Sequence, residues 1–168
     1  MPGLPPLPKK IRDMMADQGG KPLSDERSPF AGGGGGFGFG AGFHDSISLK
    51  MLICYVDLEV FFGFDVLLKH YDASDCAANF GVNQWYAEGQ AYAYLHIAAG
   101  LELNLWVWHG KFELIDLYAS ATLEAKFPNP SWVRAQIAIK GEVLNGLIEI
   151  NTKVKFEVGK LPECMPQY

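Results

Sequence analysis

His70, Asp72 and Asp75 stand two to three residues apart, a spacing at which one imidazole and two carboxylates can converge on a divalent cation. His44-Asp45 offers a second His-Asp pair upstream. Nothing completes the donor set, and loops gather Asp in any case, so residues 70–75 read first as a solvated loop and only weakly as metal ligands. His96 set across a hairpin from Glu124 would make an acid–base pair, although a cross-strand hydrogen bond on an exposed face is the plainer reading. Glu142 and Glu149, facing each other near a turn, could share a proton or a cation; beside a turn they more simply splay into water. Gly33, Gly35 and Gly38 match G-x-G-x-x-G formally, but a polyglycine run satisfies any such pattern, and no strand leads into it. The sequence holds no G-K-[ST], C-x-x-C, H-E-x-x-H or G-x-S-x-G. The expectation is a protein that is not an enzyme, with no catalytic residue and no cofactor.

Composition narrows the class further. The chain has 168 residues, 49% hydrophobic and 20% charged, which suits one folded domain with a core. A net charge of -5 with scattered Lys and Arg gives no footprint for nucleic acid. No apolar run approaches the roughly 18 residues of a membrane-spanning helix. Residues 1–30 carry Pro2, Pro5, Pro6, Pro8 and a Lys9-Lys10-Ile11-Arg12 run with no apolar stretch behind it, unlike a secretory signal. Either the chain is cytoplasmic, or its signal lies upstream in a longer protein.

Residues 1–36 are rich in Pro and Gly and offer little to bury, so they read as a disordered linker or tail, with a weak helical pattern over 9–17. The Phe37-Gly38-Phe39-Gly40 alternation has strand period, and the fold is expected to occupy 37–164. From Ile47 the period is two. Cys54, Val56, Leu58, Val60, Phe62, Phe64, Val66 and Leu68 share one side, opposite Asp57, Glu59 and Asp65. Trp85 to Val107 repeats this on odd positions, across Gly100, which excludes a helix.

Two turns fix registers. Asn145-Gly146 is a type I′ signal, and a two-residue turn there pairs Leu144 with Leu147, Val143 with Ile148, Ile139 with Thr152, Ile137 with Val154, Ala135 with Phe156 and Val133 with Val158, apolar against apolar throughout. The other face sets Arg134 against Glu157 and Glu142 against Glu149. A turn at His109-Gly110 likewise pairs Val107 with Phe112 and Leu105 with Leu114. The apolar phase then shifts by one at Leu114-Ile115, the mark of a β-bulge, beyond which Leu101 faces Ala119 and Ile97 faces Leu123. The expected fold is mainly all-β: an antiparallel meander of five to six long twisted strands, four well defined, with 47–69 and 37–43 as the fifth and sixth. Its one apolar face should be curled inward, sandwiched or capped.

Cys54 falls on that apolar face and reads as a small buried hydrophobe. The meander brings Cys76 and Cys164 to the same end of the sheet, where a disulfide would close a long loop, worth about 4–5 kcal/mol by chain entropy. Two free thiols in a cytosolic protein are the alternative, and a bridge would imply an oxidising compartment. Tyr86, Tyr92, Tyr94, Trp106, Trp108, Tyr118 and Trp132 fall on the polar face or at its ends. Such aromatics could stack sugars or dock a partner, or the face could be covered by the N-terminal segment or by neighbouring domains.

The run Trp85-Tyr86-Ala87-Glu88-Gly89-Gln90-Ala91-Tyr92-Ala93-Tyr94 and the segment Phe127-Pro128-Asn129-Pro130-Ser131-Trp132 resemble β-rich segments of large uncharacterised surface or secreted proteins of Bacteroidetes-type bacteria. The resemblance covers about 37–164 and implies one segment of a larger envelope protein, with no established activity attached. The expected function is therefore a structural or interaction module of an extracytoplasmic protein, whose partners are neighbouring domains of the same chain or another envelope protein. The alternative is a lipid-handling groove or an outer-membrane barrel segment, with membrane lipid as the partner.

Overall fold

The computed structural model describes residues 35–70, 81–105, 108–129 and 131–160, together with Lys9, Arg12, Asp13 and Ala16, which are helical and exposed. Alternating side chains and tight turns dictate one architecture, an antiparallel sheet of six strands in sequence order. They are β1 (Gly35–Met51), β2 (Cys54–His70), β3 (Trp85–Leu105), β4 (Trp108–Phe127), β5 (Trp132–Val143) and β6 (Ile148–Gly159). The sheet is open, with β1 and β6 at its edges and no second sheet among the described residues.

The β5–β6 ladder has the expected register along its length, from Val143 opposite Ile148 to Val133 opposite Val158. Asn145 (φ 57°) and Gly146 (φ 88°) both take the left-handed conformation that the turn demands. The turn is also tied to β4, because the Leu144 and Asn145 amides donate to the carbonyls of Leu114 and Glu113 at 2.8 and 3.0 Å. The bulge in β4 is present as well. Gly100 faces Glu113 and Ala99 faces Ile115, leaving Leu114 as the extra residue.

The β3–β4 hairpin turns earlier in the chain than expected, directly after Leu105 and not after Val107. Leu105 faces Trp108 and Leu101 faces Phe112, so His109 and Gly110 belong to β4 and not to the turn. In consequence Leu95 faces Ala119 and Ala91 faces Leu123. The ladder differs from the expected one by an even number of residues, which leaves apolar against apolar in both. A further correction concerns 47–69, which is not one strand. The chain reverses at Leu52-Ile53, with Met51 opposite Cys54 and Leu52 at φ 54°. No Gly, Asn or Pro marks that turn, so nothing in the sequence announced it.

Two glycines have a packing role that differs sharply. A Cβ on Gly63 would lie 2.8 Å from both the Ala41 carbonyl oxygen and the Tyr92 ring, whereas one on Gly89 meets only the Ala125 carbonyl at 4.0 Å. Gly63→Ala should therefore lower stability by about 1–3 kcal/mol through forced displacement of the ring and strand. Gly89→Ala should be neutral or stabilise by about 0.4–1 kcal/mol. Urea unfolding of the two variants side by side checks this; equal midpoints would remove Tyr92 from over Gly63.

Candidate functional site

Successive residues of each strand point to opposite sides, and the two surfaces of this sheet are chemically unlike. One carries Phe39, Phe64, Leu123, Ile137, Val154 and Phe156, all exposed. The other carries Tyr55, Tyr86, Tyr92 and Trp132 together with Asp65, Lys69, Glu88, Gln90, Thr122 and Gln136, and every one of these is buried. The expectation of an inward apolar face is thus reversed. Cys54, expected to be buried on that face, is exposed with a free thiol.

The polar face can bury itself because its rings and charges satisfy one another. Tyr92 lies over Gly63 and stacks on Phe61, ring centres 5.5 Å apart. Tyr55 reaches over Gly100, whose added Cβ would sit 2.8 Å from the Tyr55 ring, and Lys111 caps Tyr55 from above at 3.9 Å. Lys69 Nζ approaches Glu88 Oε1 at 3.3 Å with side chains only 6% and 4% exposed, and Lys126 reaches the same oxygen at 3.7 Å. Such depth is tolerable for a carboxylate only beside cations.

The pairing continues strand by strand. Arg134 donates from one guanidinium nitrogen to both Glu124 oxygens at 2.8 and 2.7 Å and lies over the Trp132 ring. Trp132 in turn donates its Nε1–H to Glu157 at 2.9 Å. Toward the other end, His44 meets Glu59 at 3.3 Å, and His96 Nε2 meets Asp116 at 2.7 Å. The His96 ring stacks on Tyr118, centres 4.1 Å apart and 3° from parallel. Lys50 bonds Glu102 at 2.7 Å, linking β1 to β3 across the width of β2.

Several expected sites change meaning here. Tyr86, Tyr92, Tyr94 and Trp132 are not an exposed stacking surface, since each is buried; Trp106 lies outside the described residues, as does the Trp108 side chain. His96 faces Tyr118, not Glu124, whose partner on β3 is Gln90. Glu142 does face Glu149, and Asp116 faces Glu142, so three carboxylates form one row beside Lys140 in a shallow hollow. Arg134 faces Glu157 as expected but gives its hydrogen bonds to Glu124.

His44 faces Phe61, far along β2 from His70, which faces Gly35 and Trp85, so the two histidines do not converge. Asp72, Asp75, Cys76 and Cys164 lie outside the described residues. Among those described, no three His, Cys, Asp or Glu side chains are arranged to hold a metal. The Lys69–Glu88–Lys126 group was missed in the sequence, although Lys69 shares its phase with Asp65 on β2. A β2–β3 register would have found it.

Glu88 is held by cations at one oxygen, while its Oε2 is buried without a hydrogen bond. Glu88→Leu should cost about 3–5 kcal/mol, because it strips the buried Lys69 and the half-buried Lys126 of their shared carboxylate. Adding Lys69→Met should recover part of that loss. A double-mutant cycle by chemical unfolding measures the coupling, and strict additivity would show that the pair does not interact.

No family model matches the chain, and no curated protein or solved structure matches it either.

Proposed function

We propose that this sheet is a non-catalytic wall of a membrane β-barrel in the cell envelope, with its apolar face against lipid and its polar face lining the interior. One observation carries the reading, namely that the polar face is the buried one and the apolar face the exposed one. In water the stable arrangement is the opposite, and soluble proteins rarely expose contiguous apolar patches beyond a few hundred Å². Membrane barrels alternate apolar-out and polar-in along every strand.

The details of the apolar face agree with lipid. Large exposed hydrophobics occur on all six strands, from Phe37 on β1 to Val158 on β6. Among the described strands the one carboxylate on that face is Asp45, on the edge strand β1, where its Oδ1 accepts the Ser46 amide. β5 and β6, 12 residues each, reach about 30 Å along the normal when tilted about 40°, close to a hydrocarbon core. The longer β1 to β4 overhang it.

The competing reading is an interaction module whose apolar face is covered by a neighbouring domain of a longer extracytoplasmic chain. Such a cover would explain the apolar face but not a buried lining of paired charges on the other side. Spin labels distinguish the two. In a cysteine-free background, single labels at Lys153, Val154, Lys155 and Phe156 are placed in full-length protein reconstituted into vesicles. Labels at 154 and 156 should be accessible to oxygen, and those at 153 and 155 to an aqueous nickel chelate. Aqueous access at all four positions would refute a lipid-facing wall. Ile137→Arg should also destabilise the reconstituted protein by about 2–4 kcal/mol.

A further inference from the structure

We infer that one end of the sheet is its membrane-anchoring end: the apices of the β1–β2 and β5–β6 connections seat apolar side chains at the acyl boundary of the bilayer. The inference rests on the lipid-facing reading and adds an orientation to it.

Hairpin apices in water are ordinarily Gly, Asn, Asp or Ser, because these residues accept left-handed backbone and solvation without strain. At this end the β1–β2 apex departs from that rule, and the Asn145-Gly146 apex, which follows it, is flanked by leucines. Leu52 is left-handed at φ 54° and 104% exposed, beside Met51 and Ile53, both exposed. Leu144 is left-handed at φ 56°, and Leu147 on the far side of Asn145-Gly146 is 77% exposed. Left-handed backbone is unfavourable for Leu, and a fully wet Leu gains nothing by being there.

Among the described residues at the opposite end, the left-handed non-glycine residues are Asn83 and Gln84, and the short β4–β5 connection contains Pro128, Asn129 and Ser131. Val82 and Phe127 are exposed there too, so the contrast lies in the apices, where leucine takes left-handed backbone at one end only.

Continuity argues for lipid as the occupant of the apolar end. Met51, Val56, Ile148 and Ile150 lead from the apices straight onto the exposed apolar face. Charges near this end sit on the other face, where Lys50 pairs with Glu102 at 2.7 Å and Lys111 with Asp57 at 3.9 Å. The end thus has a polar side and an apolar rim, and leucine at a rim suits an acyl boundary.

The test uses the full chain in a cysteine-free background, labelled singly with an environment-sensitive nitrobenzoxadiazole at Leu52→Cys, Leu147→Cys, Asn83→Cys or Ser131→Cys, with Phe156→Cys reporting on the apolar face. On phosphatidylcholine–phosphatidylglycerol vesicles, the labels at 52 and 147 should shift to the blue and be quenched by shallow doxyl lipids, while those at 83 and 131 stay aqueous. If the label at 156 enters lipid while 52 and 147 stay aqueous, the orientation is wrong and the lipid-facing wall survives. If none responds, both fall. Equal shifts at the two ends also overturn the inference. Independently, the unlabelled pair Leu52→Asn and Leu147→Asn should weaken vesicle partitioning at least tenfold with no fall in the unfolding midpoint in detergent. A drop in that midpoint with partitioning unchanged would assign the leucines to the fold instead.

Discussion

Everything in this sheet depends on keeping each charged side chain on the same side of the ladder. Glu88, Lys69 and Lys126 illustrate the stakes. A slip of one residue in β3 would carry Glu88 from between two lysines to the apolar surface, and both lysines would lose that carboxylate. In an ordinary soluble sheet, register is enforced by apolar side chains that must not face water. Here it is enforced from the other side, by buried charges that must not lose one another. The desolvation of an unpaired carboxylate exceeds that of a misplaced Val or Leu, so the constraint is stiff. It is also distributed. Glu124 is held by Arg134, Trp132 ties Glu157, and Lys50 reaches Glu102 across an intervening strand.

The same logic accounts for what could be read from the residues and what could not. The β5–β6 hairpin was fully readable, because Asn145-Gly146 fixes the turn and with it the register. The extra residue at Leu114 was readable because a bulge leaves a permanent change of phase. The β3–β4 turn was not. Its displacement from His109-Gly110 shifts the pairing by an even number of residues, and an even slip exchanges one apolar–apolar match for another. Face matching is blind to it, and the error moved His96 from Tyr118 to Glu124. Leu52-Ile53 was missed for a different reason. Turn chemistry was the signal sought, and this turn was made with residues that lack it.

The reversal of inside and outside is the deeper failure, and its cause is symmetry. An alternating strand states which residues share a side but not which side faces solvent, and the assumption that water lies outside supplies the rest. One sign of the true sense was present. The surface with Asp, Glu, Lys and Arg also held Tyr86, Tyr92, Tyr94 and Trp132, large rings with polar tips that suit a packed polar interior, while the opposite surface held Phe, Ala and Gly. Charge and amphipathic aromatics gather on one side, while the other, Asp45 and a few further polar residues apart, is hydrocarbon.

The open edges follow from the same physics. A strand edge carries a row of amides and carbonyls, and in hydrocarbon each one left unpaired costs several kcal/mol. On the proposed lipid-facing reading, a sheet with β1 and β6 as edges is therefore an arc of a larger ring. About eight strands give an interior just wide enough for side chains to fill, and this lining is made of large ones, Tyr, Trp and Arg. Since β1 and β6 run in opposite directions, any even number of added strands in the same up-and-down pattern completes the ring with every pair antiparallel. On that reading, pairing partners for β1 and β6 are as much a condition of the apolar face as the lipid itself.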